Sequence, residues 1–156
     1  MKRLLVPAAL IALSACQQPA PADGAAVVQT SGAICRPTPN GRQATGCYLT
    51  LTASRNDTLL SVESPVGALA QIHSSNLENN MMIMYEMKAG LPLPAGQAVS
   101  LAPGGNHIML LGVKEPLVTG DTVPLTLTFA AARPMEIAVP VGQPPLPGAG
   151  ADHAGH

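Results

Sequence analysis

The feature that most restricts the fold of this 156-residue chain is a series of short alternating segments separated by turn residues. Apolar and polar residues alternate with a period of two, which is the period of a half-buried β-strand. Sixteen prolines are spread along the chain, and they disfavour helices because proline lacks the backbone amide hydrogen. The segments predicted as strands are residues 44–52, 58–63, 68–73, 81–87, 98–101, 107–113, 122–130 and 135–141.

The spacing of these segments, near ten residues, predicts an all-β, antiparallel, Greek-key β-sandwich in a single domain. Its core would be aliphatic, because the chain has no Trp and only three aromatic residues. The residues predicted to form that core are Leu49, Leu51, Leu59, Leu60, Val62, Leu69, Ile83, Val99, Leu101, Ile108, Leu110, Val123, Leu125, Leu127, Phe129, Ile137 and Val139.

Residues 1–15 are predicted to be a lipoprotein signal peptide. Two basic residues precede an apolar stretch at residues 4–13, which is too short to span a bilayer as a helix. The sequence Leu-Ser-Ala-Cys that ends at Cys16 resembles the bacterial lipobox, in which the chain is cut before a cysteine that is then lipidated. The alternative is an ordinary cleavable signal with an incidental cysteine. Gln17 after this cysteine indicates a periplasmic protein anchored to the outer membrane.

Two flanking segments are too rich in small and turn-forming residues to build a core. Residues 16–26 are predicted to be a flexible Pro/Ala tether, and residues 142–156 a disordered Pro/Gly/His tail. The compact domain would therefore comprise residues 27–141. Loss of residues 1–15 would change the formal net charge from −1 to −3, and no basic stripe is present, so nucleic-acid binding has no support.

Cys35 and Cys47 are predicted to form a disulfide, because an exported chain reaches an oxidising compartment. Eleven residues lie between them and include a strong turn. The alternative is a pair of metal or redox thiols. The two cysteines lack the close spacing of a redox motif, which favours the disulfide.

A cluster of methionines bracketed by histidines is the candidate metal site. Five of the six methionines after the start residue fall between residues 81 and 109. The four candidate ligands are His73, Met84, His107 and Met109. Thioether sulfur is a soft, neutral ligand and imidazole a borderline one, so the set suits monovalent copper.

Strand geometry would orient these side chains. His107 and Met109 are two residues apart and would point to one face of a strand, and Met82 and Met84 would share a face by the same rule. His73 is placed at the end of its strand, before a loop at residues 74–80, and a hairpin would bring it beside Met84. The competing interpretation is that the methionines fill gaps in an aliphatic core. Met81, Met82 and Met87 are assigned to packing or to an auxiliary role.

These residues resemble the signature of the periplasmic copper(I) chaperones of the copper A/C type (PCuAC). That signature is histidine, ten residues, methionine, twenty-one residues, histidine, one residue and methionine. His73 and Met84 match the first interval, and His107 and Met109 match the end, but the second interval here is twenty-two residues. The resemblance covers about residues 35–141.

The resemblance implies a cupredoxin-like sandwich without the blue-copper cysteine. It also implies that the protein carries Cu(I) to a periplasmic acceptor, such as a subunit or assembly factor of cytochrome c oxidase. A carrier needs no catalytic base or nucleophile and none is evident, so we expect a protein that is not an enzyme, and we expect it to be a monomer. The lipid anchor departs from relatives that are more often soluble. Some relatives carry a His/Met-rich tail that takes Cu(II), and His153 and His156 would provide a weak version of that site.

Three other functions are weighed against copper carriage. An electron-transfer cupredoxin needs a cysteine thiolate near its histidines, and none lies near His107. A β-sandwich lipoprotein without a metal, serving envelope assembly or adhesion, remains the main alternative. A hydrolase is weaker, because no motif arranges the Ser, His and Asp residues.

Overall fold

The computed structural model describes residues 24–145, which form two antiparallel sheets packed face to face. The strands are β1 (Val28–Cys35), β2 (Ala44–Ala53), β3 (Asp57–Glu63), β4 (Leu69–Glu78), β5 (Met81–Glu86), β6 (Leu91–Leu93), β7 (Ala98–Leu101), β8 (His107–Leu111), β9 (Thr122–Phe129) and β10 (Met135–Pro140). The larger sheet has the order β1-β2-β8-β4-β5, with β7 also paired to β2, and the smaller has the order β10-β9-β3-β6. The predicted all-β sandwich is confirmed.

The core between the sheets follows directly from the period of two. Along β9, Val123, Leu125, Leu127 and Phe129 are buried, whereas the residues between them are exposed or half-buried. Alternate residues of β2 contribute in the same way from the larger sheet. Aliphatic side chains meeting from two sheets remove apolar surface from water, and this burial is the main stabilising contribution to such a fold.

Three predicted core residues, Leu60, Leu69 and Ile83, lie outside the core. Ile83 is on β5, the edge strand of the larger sheet, where every residue is exposed or half-buried. Leu60 is 47% exposed and Leu69 is 50% exposed. Adjacent residues of a strand point to opposite faces, so Leu60 faces outward because Leu59 is fully buried. Leu69 faces outward because β4 directs Ile72 into the core.

The predicted strands match the observed ones closely, with three differences. β1 and β6 were not predicted. The predicted loop at residues 74–80 is wrong, because β4 continues to Glu78. The chain turns at Asn79 and Asn80, whose φ angles of 50° and 63° lie in the left-handed region that asparagine tolerates and that a two-residue hairpin requires. His73 is therefore in the middle of a strand.

Cys35 and Cys47 are opposite residues of the β1–β2 ladder and are joined by a disulfide, as predicted. Both are fully buried between the sheets. The bridge fixes the end of β1 against β2. The alternative use of these thiols as metal ligands is thereby removed.

Some sequence-based predictions fall outside the described residues. They concern the signal peptide, the lipidation site Cys16, and the tail histidines His153 and His156. Within residues 24–145, no helix has the length and hydropathy needed to cross a membrane.

Candidate metal centre

His73 and His107 are directly opposite each other on neighbouring strands. They form a cross-strand pair of the β4–β8 ladder, and their ring centroids are 5.7 Å apart with an interplanar angle of 73°. Both side chains project from the outer face of the larger sheet, because Ile72 and Ile108 beside them point into the core. The two candidate imidazole ligands, separated by 33 residues in sequence, are thus brought together.

The ring of His107 is held by a backbone hydrogen bond. Its Nδ1 lies 3.0 Å from the carbonyl oxygen of Gly105, to which it donates. This contact leaves Nε2 with a lone pair, which is the tautomer that a metal-binding imidazole requires. His107 is only 5% exposed although its strand position faces outward, so neighbouring side chains cover it.

The ring of His73 carries an unsatisfied nitrogen. Its Nε2 donates to Oε1 of Gln71 at 3.1 Å, whereas Nδ1 is buried and has no hydrogen-bond partner among residues 24–145. A buried polar atom without a partner is uncommon, because its desolvation is not compensated. A cation bound at Nδ1 would satisfy it.

Burial lowers the pKa of His73, and the neighbouring His107 lowers it further, whereas Glu86 opposes the shift. Glu86 is the residue opposite His73 on β5. The lowered pKa favours the neutral imidazole, which is the form that binds a metal.

The thioethers lie on the same face of the sheet as the imidazoles. Met109 follows His107 by two residues and is opposite both Gly46 on β2 and Gln71 on β4. Met84, on β5, is opposite Ser75 on β4 and is 54% exposed. The predicted sharing of faces by these pairs is confirmed, although Met84 lies diagonal to His73 and not directly beside it.

These side chains border a cleft of about 410 Å³. His107, Met84 and Met109 line it, together with Met82, and His73 adjoins it through its contact with His107. The structure thus brings three of the four predicted ligands to one cleft on the outer face of the sheet and places the fourth, His73, beside His107. It also places Met82, predicted to be auxiliary, on the lining.

Among the cleft residues that were not identified from the sequence are Gly46, Tyr48 and Arg36. Gly46 is opposite Met109 in the β2–β8 ladder. The centroid of the Tyr48 ring lies 6.5 Å from the centroid of the His107 ring. The guanidinium of Arg36 lies 5.6 Å from the centroid of the Tyr48 ring. Their position depends on which strands are neighbours, and no local pattern indicates this.

The donor set restricts what the cleft can bind. In the part of the chain that the structure describes, no group of three or more His, Cys, Asp or Glu side chains is arranged to hold a metal. A metal bound at the two imidazoles must therefore complete its coordination with thioether sulfur or with an external ligand. Soft monovalent ions accept thioether sulfur as a donor, and hard divalent ions do not.

Comparison with known proteins places the chain in a family. The model of the family described as "Putative lipoprotein LpqE-like" matches residues 28–141. The chain is also 33% identical over 147 residues to "Putative lipoprotein Lxx21020" of Leifsonia xyli subsp. xyli (strain CTCB07), covering 90% of this chain and 89% of that protein.

Solved structures share the fold. The apo PCuAC domain from PmoF1 has a TM-score of 0.62 at 24% identity and covers 75% of this chain and 94% of that domain. The apo form of DR1885 from Deinococcus radiodurans has a TM-score of 0.56 at 28% identity, covering 87% of this chain and 95% of that one. Its Cu(I) form has a TM-score of 0.54 at 27% identity, with coverages of 76% and 78%. The chain therefore belongs to the LpqE-like family, and its two sheets form the cupredoxin-like β-sandwich of PCuAC domains.

Proposed function

We propose that this protein is a copper metallochaperone of the bacterial envelope that binds Cu(I) through His73, Met84, His107 and Met109. The observation that carries the proposal is the buried Nδ1 of His73, which has no hydrogen-bond partner among the described residues and adjoins His107. His107 has its Nε2 free, and the two thioethers lie on the same face. The four side chains offer two nitrogens and two sulfurs, which together suit Cu(I).

This donor set suits transport in an oxidising compartment. Paired thiolates there are lost to disulfides, whereas methionine cannot form a disulfide and needs no deprotonation to bind. Four neutral donors leave the single charge of Cu(I) uncancelled. Release to an acceptor that offers thiolate is therefore downhill, and the protein needs no catalytic base or nucleophile.

The relatives support Cu(I) as the bound ion and the bacterial envelope as the location. DR1885 has been solved with Cu(I), and Lxx21020 carries a lipoprotein name. We extend both properties to this chain: residues 1–15 would be removed, Cys16 lipidated, and residues 16–26 would tether the copper-binding domain of residues 27–141 in the periplasm, at the outer membrane. The resemblance to PCuAC chaperones further suggests delivery toward the copper centres of cytochrome c oxidase. His153 and His156 in the tail would add a weak Cu(II) site.

The decisive experiment is a Cu(I) competition titration under anaerobic conditions, combined with X-ray absorption. Wild-type protein should bind one Cu(I) with two nitrogen and two sulfur neighbours. His107→Gln and Met109→Leu should each weaken binding at least about tenfold, the equivalent of about 1.4 kcal/mol. Met84→Leu should do the same, because leucine keeps the volume and removes the sulfur.

Met81→Leu is the matched control. Met81 lies three residues before Met84 on β5, faces the opposite side of the sheet and is 62% exposed. Its replacement should leave Cu(I) affinity unchanged. Equal affinities of the wild type and the His107 and Met109 variants would remove the assignment.

The alternative is a lipoprotein without a metal that serves envelope assembly or adhesion. The feature that favours it is the exposed apolar surface of the β4–β5 hairpin, where Leu77 is 67% exposed. Metal analysis of protein purified from copper-supplied cells separates the two functions. Protein free of copper, with no Cu(I) uptake in the titration, would favour the alternative.

A further inference from the structure

A row of residues crosses the outer face of the larger sheet at the candidate copper site. The amide of Arg36 donates to the carbonyl oxygen of Gly46 at 2.9 Å, one residue beyond the Cys35–Cys47 pair. Gly46 in turn is opposite Met109 on β8. Neighbouring strands are about 4.8 Å apart, so the backbones of Arg36 and Met109 are about 10 Å apart along this row, with Gly46 between them.

Gly46 opens the space that the cleft occupies. Because it has no side chain, the Tyr48 hydroxyl can lie over it, and Arg36, Gly46, Tyr48 and Met109 all line the one cleft. Arg42, from the β1–β2 connection, lines the same cleft. Two guanidinium groups therefore border the cleft on the side of β1 and β2.

These positive charges are not neutralised locally. No Asp or Glu lines the cleft, and among residues 24–145 neither Arg36 nor Arg42 has a carboxylate within ion-pair distance. The acidic residue that the ladder places on this face is Glu86, which is on β5, three strands away from β2 in the sheet. The charge of the cleft is thus polarised, with both arginines at one wall.

Such a wall is unfavourable for a bound cation. Two positive charges near a site with neutral ligands weaken Cu(I) binding, whereas negative charges such as carboxylates would strengthen it. The same wall attracts an incoming anion and concentrates it in the cleft. The arrangement suits the release of copper better than its retention.

We infer that Arg36 and Arg42 form an anion-receiving wall that guides the thiolate of an acceptor protein to the copper. The inference rests on the proposed function and concerns how the ion leaves. Thiolate is the anionic side chain that matches a soft ion, whereas carboxylate is hard. Nearby guanidinium groups also lower the pKa of an approaching thiol and favour its thiolate form.

The transfer step is a ligand exchange without a change of oxidation state. The acceptor thiol loses its proton to water, and a bond forms between its sulfur and Cu(I). A thioether–copper bond breaks as this bond forms, and the methionine remains neutral. No oxidant or reductant is needed.

The test compares the rates at which two chelators remove Cu(I) from the protein. Bathocuproine disulfonate is anionic and neocuproine is neutral, and both bind Cu(I) through the same phenanthroline nitrogens. In Arg36→Gln/Arg42→Gln, transfer to bathocuproine disulfonate at low salt should be about tenfold slower, within the range of electrostatic steering. Transfer to neocuproine should be slowed much less, because this chelator carries no charge, and the difference between the two chelators should shrink at high salt because charges are screened.

A synthetic two-cysteine peptide tests the thiolate directly. Its rate of copper uptake should fall in the double Gln variant, as for the anionic chelator. Arg36→Lys/Arg42→Lys keeps the charges and should retain most of the wild-type rate. Arg55→Gln is the charge-matched control, because Arg55 follows β2 at its other end and donates to the carbonyl oxygen of Gly24.

The outcomes separate this inference from the function on which it rests. If the wild type binds one Cu(I) but the double Gln variant releases it to both chelators at wild-type rates, the wall has no role. Equal slowing with both chelators would show that the arginines change how tightly copper is held and not how an anion reaches it, and would also overturn the inference. If the wild type binds no Cu(I), the proposed function itself fails.

Discussion

The hydroxyl group of Tyr48 lies over Gly46 so closely that a Cβ at position 46 would be 2.8 Å from the phenolic oxygen. Gly46 and Tyr48 are two residues apart on β2 and share the outer face of the sheet. The Tyr48 ring is only 9% exposed and contacts His107. Tyr48 packs against the candidate copper ligand His107, and it can do so because position 46 has no side chain. The position of His107 therefore depends on Gly46.

Gly46→Ala is expected to displace the Tyr48 ring and to weaken Cu(I) binding. The added methyl group overpacks a tight site, which typically costs about 1–3 kcal/mol of stability. The measurement is the Cu(I) affinity, together with the free energy of unfolding in urea. Tyr48→Phe removes the closest atom, so Gly46→Ala/Tyr48→Phe should recover part of both losses. Losses that simply add in the double variant would show that the two residues are not coupled.

The lowered pKa of His73 predicts how the stability of the copper-free protein depends on pH. The folded state holds this imidazole less protonated than the unfolded chain, where the pKa is 6.5. Between these two pKa values the unfolded chain binds more protons, so stability falls as pH decreases from about 6.5 through the folded pKa. Urea unfolding at several pH values should show a smaller loss for His73→Gln than for the wild type. An identical pH dependence for both proteins would contradict the prediction.

The same shift affects copper binding. Because protonation of His73 occurs at lower pH than for an ordinary histidine, competition between protons and Cu(I) at this ligand should begin below pH 6.5. A pH titration of the apparent Cu(I) affinity measures this directly. If the loss of Cu(I) affinity were already complete above pH 6.5, the result would contradict the lowered pKa of His73.

Asp57 is expected to be the most important buried polar residue for stability. Its carboxylate accepts hydrogen bonds from the backbone amides of Thr58, Ala131 and Ala132, which joins the start of β3 to the segment after β9. Asp57→Ala would leave these donors unsatisfied and should cost about 2–4 kcal/mol. Asp121→Ala is the control, because Asp121 accepts from the Val118 amide at an exposed site. Comparable urea midpoints for the two variants would refute the prediction.

Removal of the Cys35–Cys47 disulfide should lower stability without abolishing the fold. The bridge joins residues separated by 12 positions, and closing a loop of that size contributes about 2–3 kcal/mol in the unfolded-chain entropy model. Cys35→Ala/Cys47→Ala avoids placing polar groups in the core. Its thermal midpoint should fall by several degrees, and the Cu(I) stoichiometry should remain one. A stability equal to that of the oxidised wild type would show that the bridge contributes nothing.

The fold could be predicted from sequence where burial is periodic and turns are marked. The β9 segment alternates over eight residues, and its structure matches the prediction to within one residue. β6 is only three residues long and contains Pro92, so it has too little pattern to be recognised. β4 was predicted to stop at His73 because its polar second half has no apolar alternation, yet pairing with β5 extends it to Glu78.

For the candidate site, the sequence alone determined the ligand types and, through the period of two, which neighbours on one strand share a face. It thus paired His107 with Met109 and Met82 with Met84. Only the tertiary structure decided that β4 lies between β8 and β5, which sets His73 opposite His107, and that Gly46, Tyr48 and Arg36 border the same cleft. The physical reason is that side-chain direction is a local property of a strand. The neighbours of that strand are instead chosen by long-range burial and hydrogen bonding across the whole sheet.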